Sequence, residues 1–303
     1  MSNPFDVCVV GHVTRDRIVI GDRMRDQAGG AAYYASVALR RLGRRVAVVT
    51  KVAPEDAVYG LSELEAERID AWCMDSAATT RFENIYPDGN LGRRIQRVTS
   101  VADPFFAADL GAVQARFFHL GPLTKRDMPL GFLQAASVRG NVSLDAQGLV
   151  RSVHGHEVKT TAWCEMEQGL RFVGVLKVNL EEARFLTGEH DPEKAARRLG
   201  RLVGRAPHET LVTLGRRGSL VYSADRLYHI PAARPSEVVD VTGCGDTFFA
   251  AYLHYRLGST DAEQCGRFAS VAATLALEHF GPFRATQQAL EATAHSSSWL
   301  PAP

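Results

Sequence analysis

Short runs of aliphatic and β-branched residues recur along the chain, separated by longer stretches in which apolar residues return every three or four positions. The runs DVCVVG (residues 6–11), VAVVTKV (46–52), RFFHLG (116–121), NVSLD (141–145), GVLKVN (174–179) and TLVTLG (210–215) lack the polar alternation of a half-exposed strand. They predict strands buried on both faces. Between them AAYYASVALRRLG, MPLGFLQAASVRG and DPEKAARRLGRLVG predict helices. Strands alternating with helices predict an α/β fold with a parallel sheet covered on both sides, whose ligand sites lie beyond the carboxyl ends of its strands. Two stretches break the alternation. RIVIGDRM and TTRFENIYPDGNLGRRIQRVTS predict antiparallel strands, the second folding back at Pro87-Asp88-Gly89-Asn90. They predict a small β subdomain, built from about 13–30 and 78–102, inserted in a single domain spanning 1–303. It is either a lid or a decorative hairpin.

Composition narrows the class without naming a chemistry. The chain of 303 residues is 46% hydrophobic and 23% charged, enough for a sizeable core. Its net charge of +1 offers no basic surplus for nucleic acid and no acidic tail. No apolar stretch is long enough to span a membrane, and MSNPFDVCVV lacks the form of a secretory signal, so a cytoplasmic protein is expected. Cys8, Cys73, Cys164, Cys244 and Cys265 are odd in number and far apart, which predicts reduced thiols and no zinc site.

The chemistry concentrates in residues 238–257, VVDVTGCGDTFFAAYLHYRL. If a helix starts near Gly245, the amides of Gly243, Cys244 and Gly245 lie unpaired at its positive end, where small residues admit an anion. Asp246 would repel that anion, unless the anion is a transferring phosphoryl group and the carboxylate takes the proton of the attacking hydroxyl. The plainer alternative is a glycine-rich helix start that Asp246 favours electrostatically.

DVTGCGDTFFAAY resembles the C-terminal signature of the ribokinase/PfkB family of sugar kinases, roughly D-T-x-G-A-G-D. The resemblance implies that Asp246 is the catalytic base and that Gly243, Cys244 and Gly245 form the anion hole, with Cys244 standing where alanine is usual. It puts Asp240 at the substrate end of the cleft and at a monovalent-cation site, with potassium the candidate ion. KVNLEEARFLTG resembles the family's N-x-x-E element, implying that Asn179 and Glu182 lie near the phosphates and Mg²⁺, Glu182 holding the metal through water. TLGRRGSLVY implies Thr213, Gly215 and Gly218 beside ATP, and EHFGPF adds Gly281. At the other end, DVCVVGHVTRDRIVI and AGGAAYYASVALRRLG resemble the first strand and the N-terminal signature. They imply that Asp16, Gly29 and Gly30 orient the acceptor. The likeness runs from about residue 6 to 283. It implies a three-layer ribokinase-like fold with a mostly parallel central sheet and a small antiparallel β lid. It also implies transfer of the γ-phosphoryl of Mg·ATP to a small polyol or sugar, and a homodimer through the lid is compatible with it.

The departures lie on the substrate side. Tyr34 and Thr14 stand where many family members carry asparagine, and SLDAQGLVR adds Asp145, Gln147 and Arg151 at a strand end facing the cleft. Tyr33 and Tyr34 either edge the acceptor or pack in the core. Arg151 either pairs with Asp145 or meets an anionic substrate group. Arg93, Arg94 and Arg97 read as a solvated face, one of which could reach the acceptor. His12, His119, His154 and His156 are scattered, and the pair in HGHEV reads as surface polarity rather than a metal site. The resemblance favours the inositol-kinase and uncharacterised carbohydrate-kinase branches. Alternatives are a nucleoside kinase and a catalytically silent sugar-binding sensor. A P-loop enzyme is disfavoured by the lack of GxxxxGK[ST], and a nicotinamide enzyme by the lack of GxGxxG after the first strand.

Overall fold

The computed structural model describes residues 4–86 and 95–300. The chain enters through β1 (Phe5–Val10) and crosses into the pair β2 (Thr14–Ile20) and β3 (Arg23–Gly29). It returns through α1 (Ala31–Arg41), β4 (Val46–Val52), α2 (Ala57–Ala66) and β5 (Asp70–Asp75). β6 (Arg81–Tyr86) and β7 (Ile95–Ser100) precede β8 (Ala115–Leu120), α3 (Leu130–Ser137) and β9 (Asn141–Asp145). Next come β10 (Arg151–His154), β11 (Glu157–Thr160), α4 (Met166–Leu170), β12 (Val175–Asn179), α5 (Leu180–Thr187) and α6 (Pro192–Gly200). β13 (Glu209–Thr213), β14 (Ser219–Ser223), β15 (Arg226–Ile230), α7 (Cys244–Arg256), α8 (Ala262–Leu277) and α9 (Gln287–Ser296) complete the described chain.

The central sheet runs β15-β14-β13-β12-β9-β8-β1-β4-β5, parallel from β13 to β5, with β14 and β15 antiparallel at one edge. The unalternating strands are buried on both faces as expected. Val7 and Val9 of β1 point into the layer of α1, α7 and α8. Cys8 and Val10 point into that of α3, α5 and α6. Ridges of Val, Leu and Ala on both sides supply most of the burial that drives the fold.

A second, six-stranded sheet, β10-β11-β7-β6-β2-β3, grows from the carboxyl ends of the central strands. It departs from expectation in two ways. β2 and β6 pair in parallel, so the sheet is mixed at that junction. β10 and β11 join it as a hairpin turning through Gly155, so HGHEV is a β-turn beside β7. His156 Nδ1 meets the Val98 carbonyl at 3.0 Å, and among the described residues no His, Cys, Asp and Glu cluster has the makings of a metal site. Phe82 and Val98 anchor this sheet on Ala31 and Leu123. Asp56 ties it to the N-terminus of α2, accepting from Arg15 at 3.0 Å and from Arg81 at 2.7 Å. The turn at residues 87–90, with Arg93 and Arg94, lies outside the described residues; Arg97 is exposed, in register with Glu83 and Glu157. All five cysteines are free thiols.

Candidate active site

The cleft lies between the small sheet and the carboxyl ends of the central strands. Its floor is the start of α7. Gly243 is the N-cap, left-handed at φ 73°, and no side chain caps the helix. The first-turn amides therefore emerge at the positive end of α7, as an anion requires. The helix begins at Cys244, one residue earlier than expected. Gly243 carries no side chain because Tyr34 occupies that space: a Cβ there would lie 2.3 Å from the ring. Cys244 packs inward with Sγ 3.8 Å from the Asp240 carbonyl, and burial pushes its thiol up to about 12, so it is inert.

Asp246 sits in the first turn, partly buried. Burial and the neighbouring Asp145 carboxylate push its pKa up to about 7, while Lys177 and Arg151 pull it down. A carboxyl that titrates near neutrality is suited to accept a proton. Asp145 ends β9, and its Oδ1 accepts from the Gln147 amide at 3.1 Å. Its Oδ2 accepts from Lys177 Nζ at 2.7 Å, both side chains nearly excluded from solvent. Lys177 is a buried charge in the site that the sequence motifs did not mark. The clue was a lysine inside an otherwise apolar buried strand, where a charge has to be paired.

Asn179 and Glu182 form a reciprocal cap on α5. Asn179 Oδ1 accepts from the Glu182 amide at 2.9 Å, and Glu182 accepts from the Asn179 amide at 2.8 Å and from its side-chain Nδ2 at 2.7 Å. The N-x-x-E spacing is thus a capping box. Each Glu182 oxygen retains acceptor capacity for metal-bound water, and burial raises its pKa. Thr213 ends β13, in register with Asn179 on β12. Gly215 (φ 62°) and Gly218 (φ 87°) bracket the tight turn into β14. Gly218 is there for packing as well, since a Cβ would fall 2.0 Å from the Ile230 carbonyl. Gly281 (φ 82°) lies in the loop after α8 with open space beside it.

On the opposite wall, Asp16 is buried on the inner face of the small sheet. The cross-strand register groups Asp16 with Gln27, Ile18 with Arg25 and Asn84, and Ile20 with Arg23 and Tyr86 on that face. The Asp16 carboxylate and the Thr14 hydroxyl occupy the space beside Gly29 (Oδ2 2.5 Å and Oγ1 2.8 Å from a Cβ there), and the His12 carbonyl does so at Gly30. The two glycines therefore let the chain approach itself. Tyr34 is buried, and its hydroxyl accepts from Gln27 Nε2 at 3.3 Å. Tyr33 turns away and donates to Glu63 on α2. Asp240 Oδ1 accepts from the Thr242 amide at 2.9 Å, shaping the loop before α7. His12 and His119 are buried structural residues, His12 bonded to the Asp103 carbonyl at 3.0 Å and His119 to Ser143 at 3.2 Å.

Beyond Asp16, towards the free end of the small sheet, the same face turns apolar. Ile18, Ile20 and Tyr86 line a cavity of about 230 Å³ closed by Val238, Val241 and Phe280, with Arg23 and Arg25 at its rim. The Arg25 guanidinium lies 5.4 Å from the centre of the Phe280 ring, joining the two walls.

Residues 2–288 match the pfkB family carbohydrate kinase pattern. The cytidine kinase of Thermococcus kodakarensis is 24% identical over 288 residues, covering 93% of this chain and 99% of that one. The inositol 3-kinase of Zea mays is 26% identical, covering 88% of this chain and 71% of that one. Among solved structures, a pyrophosphate-dependent kinase in the ribokinase family, complexed with a pyrophosphate analogue and myo-inositol, superposes with a TM-score of 0.83 at 27% identity. That match covers 94% of this chain and 99% of the other. The Burkholderia thailandensis nucleoside kinase in complex with inosine shares the fold at 18% identity, TM-score 0.77, over 96% of both chains.

Proposed function

Because the chain belongs to the pfkB family of carbohydrate kinases, we propose that it transfers the γ-phosphoryl of Mg·ATP to a hydroxyl of a small polyol or sugar, in a cleft that the small sheet closes as a lid. The observation that carries this reading is the place of Asp246, in the first turn of α7 beside its uncapped, left-handed glycine start. Asp246 takes the proton of the acceptor hydroxyl as its oxygen attacks phosphorus. The amides of the Gly243 to Gly245 turn stabilise charge on the transferring group, and the helix start supplies them at no reorganisation cost. Asp16, with Gly29 and Gly30 behind it, orients the acceptor, and Asp145 borders it. The donor phosphates extend towards Asn179, Thr213, Gly215 and Gly218, with Gly281 on the nucleoside side. The residues fit a phosphate-bound magnesium ion: Glu182 would hold its waters, and the metal would neutralise donor charge. Asp240 would hold a monovalent ion in the loop before α7.

A nucleoside acceptor is favoured by one observation. The apolar cavity of about 230 Å³ beside Asp240 and Thr242 is lined by Ile18, Ile20, Tyr86 and Phe280, a surface suited to a flat heterocycle and wasted on inositol. The pyrophosphate-dependent relative makes the donor a matter for measurement as well. The face of the small sheet opposite Asp16 carries an apolar row, Met24, Val19, Ile85 and Ile95, joined strand to strand, with Met24 on the edge strand also bordering the cavity. Met24 is 70% exposed, and this row is the surface through which we propose that two copies pair.

Product formation from Mg·ATP and from Mg·pyrophosphate should be followed against myo-inositol, ribose, fructose, cytidine and inosine. One strong acceptor with ATP is the expected result. Thermal stabilisation by an acceptor with no turnover from either donor would instead mark a silent sensor.

A further inference from the structure

Lys177 and Asp145 are cross-strand neighbours on β12 and β9, in the middle of the parallel sheet. Their ion pair is 2.7 Å long and almost wholly buried. A buried pair of this kind stabilises a fold little or not at all, because desolvation of both charges offsets their attraction. Aliphatic residues would fill the same space at no electrostatic cost. Its position gives it another use: a Cβ on Gly245 would lie 3.1 Å from Lys177 Nζ, so the ammonium lies directly against the first turn of the helix that carries Asp246.

We propose that Lys177 is a positioning residue for phosphoryl transfer: Asp145 holds its ammonium against the first turn of α7, the turn that carries Asp246 and the anion-binding amides. This rests on the reading of Asp246 as the base. The two members act in opposite senses. Burial and Asp145 raise the Asp246 pKa, whereas Lys177 lowers it, with Arg151 at the start of β10 adding to the lowering. The other charged and titratable groups around the site are Glu182 from α5, facing Lys177, and Tyr34 from α1, which faces Asp240 and Asp246. Cys244 shares the Asp246 helix and is held as a neutral thiol. Burial works against the charge on Lys177, but Asp145, Glu182 and Asp246 raise its pKa, so it stays protonated through the working range. Gly245 then serves two purposes, admitting the phosphoryl on one side and the ammonium on the other.

The test reads the titration of Asp246 without needing an acceptor. Unfolding free energy is measured from pH 4 to 9 for the wild type and Asp246→Asn, and the difference between them reports the Asp246 midpoint by linkage. The same pair is compared in the Lys177→Met, Lys177→Arg and Asp145→Asn backgrounds. The midpoint should rise by about one unit or more in Lys177→Met, fall by a similar amount in Asp145→Asn, and stay near its wild-type value in Lys177→Arg. Shifts of the same sign in Lys177→Met and Asp145→Asn, or no shift in either, would overturn the proposal and leave the base intact. Full turnover in Asp246→Asn would remove the base and this inference with it. If Lys177→Met does not fold, opposite shifts in Asp145→Asn and in Lys177→Gln decide the matter.

Discussion

The ring of Tyr34 fills the space that a side chain on Gly243 would need, its Cδ1 atom 2.3 Å from where the Cβ would stand. Gly243 also holds a left-handed backbone, φ 73°, which costs other residues about 1–2 kcal/mol. Both constraints fall on the turn that presents the anion-binding amides. Gly243→Ala should therefore lower the melting temperature by several degrees and reduce kcat at least a hundredfold. Melting curves and initial rates on the same preparation check this.

Asp246 should be a site where function costs stability. Its folded pKa, about 7, lies above the ordinary carboxyl value of 3.8, so the fold binds that proton more tightly than the unfolded chain does. The associated stability is fully present below about pH 4 and is lost as pH rises through 7. Asp246→Asn removes the ionisation. It should match the wild type at pH 4 and exceed it at pH 8 by about 2 kcal/mol, the pKa difference converted and discounted for partial exposure. Denaturant titrations at the two pH values read the sign directly.

Gly29→Ala would set a Cβ 2.5 Å from Asp16 Oδ2. The carboxylate has to move, so the acceptor KM should rise about tenfold or more while the ATP KM changes little. A matching rise in both would place Asp16 outside the acceptor site.

Much of this was legible in the sequence, for identifiable reasons. Strands buried on both faces need no polar alternation, so β1, β4, β8, β9 and β12 stand out as aliphatic runs, and β4 and β9 begin and end where the pattern put them. Glycines that carry a positive φ leave a mark in composition, as Gly30, Gly218 and Gly243 do. Pairing between distant strands leaves none. The parallel junction of β2 with β6 depends on register set in three dimensions, and β10–β11 is too short and polar to announce itself. Lys177 escaped notice because its partner, Asp145, is 32 residues away in sequence.

The lid row Met24, Val19, Ile85 and Ile95 should be buried in the assembled protein if two copies pair there. Ile85→Arg would then shift sedimentation from dimer to monomer at micromolar concentration, leaving the monomer fold intact by circular dichroism. A wild type that sediments as a monomer throughout would contradict the pairing.

The role of Asp246 as the base is tested most directly by the rate of phosphoryl transfer in Asp246→Asn, measured with the best acceptor of the panel and with acceptor binding followed by calorimetry. Binding should be retained and kcat should fall by about 10²–10⁴-fold, the share of a positioned general base. Transfer within tenfold of the wild type would contradict that role, leaving Asp246 as no more than a favourable residue at a helix start.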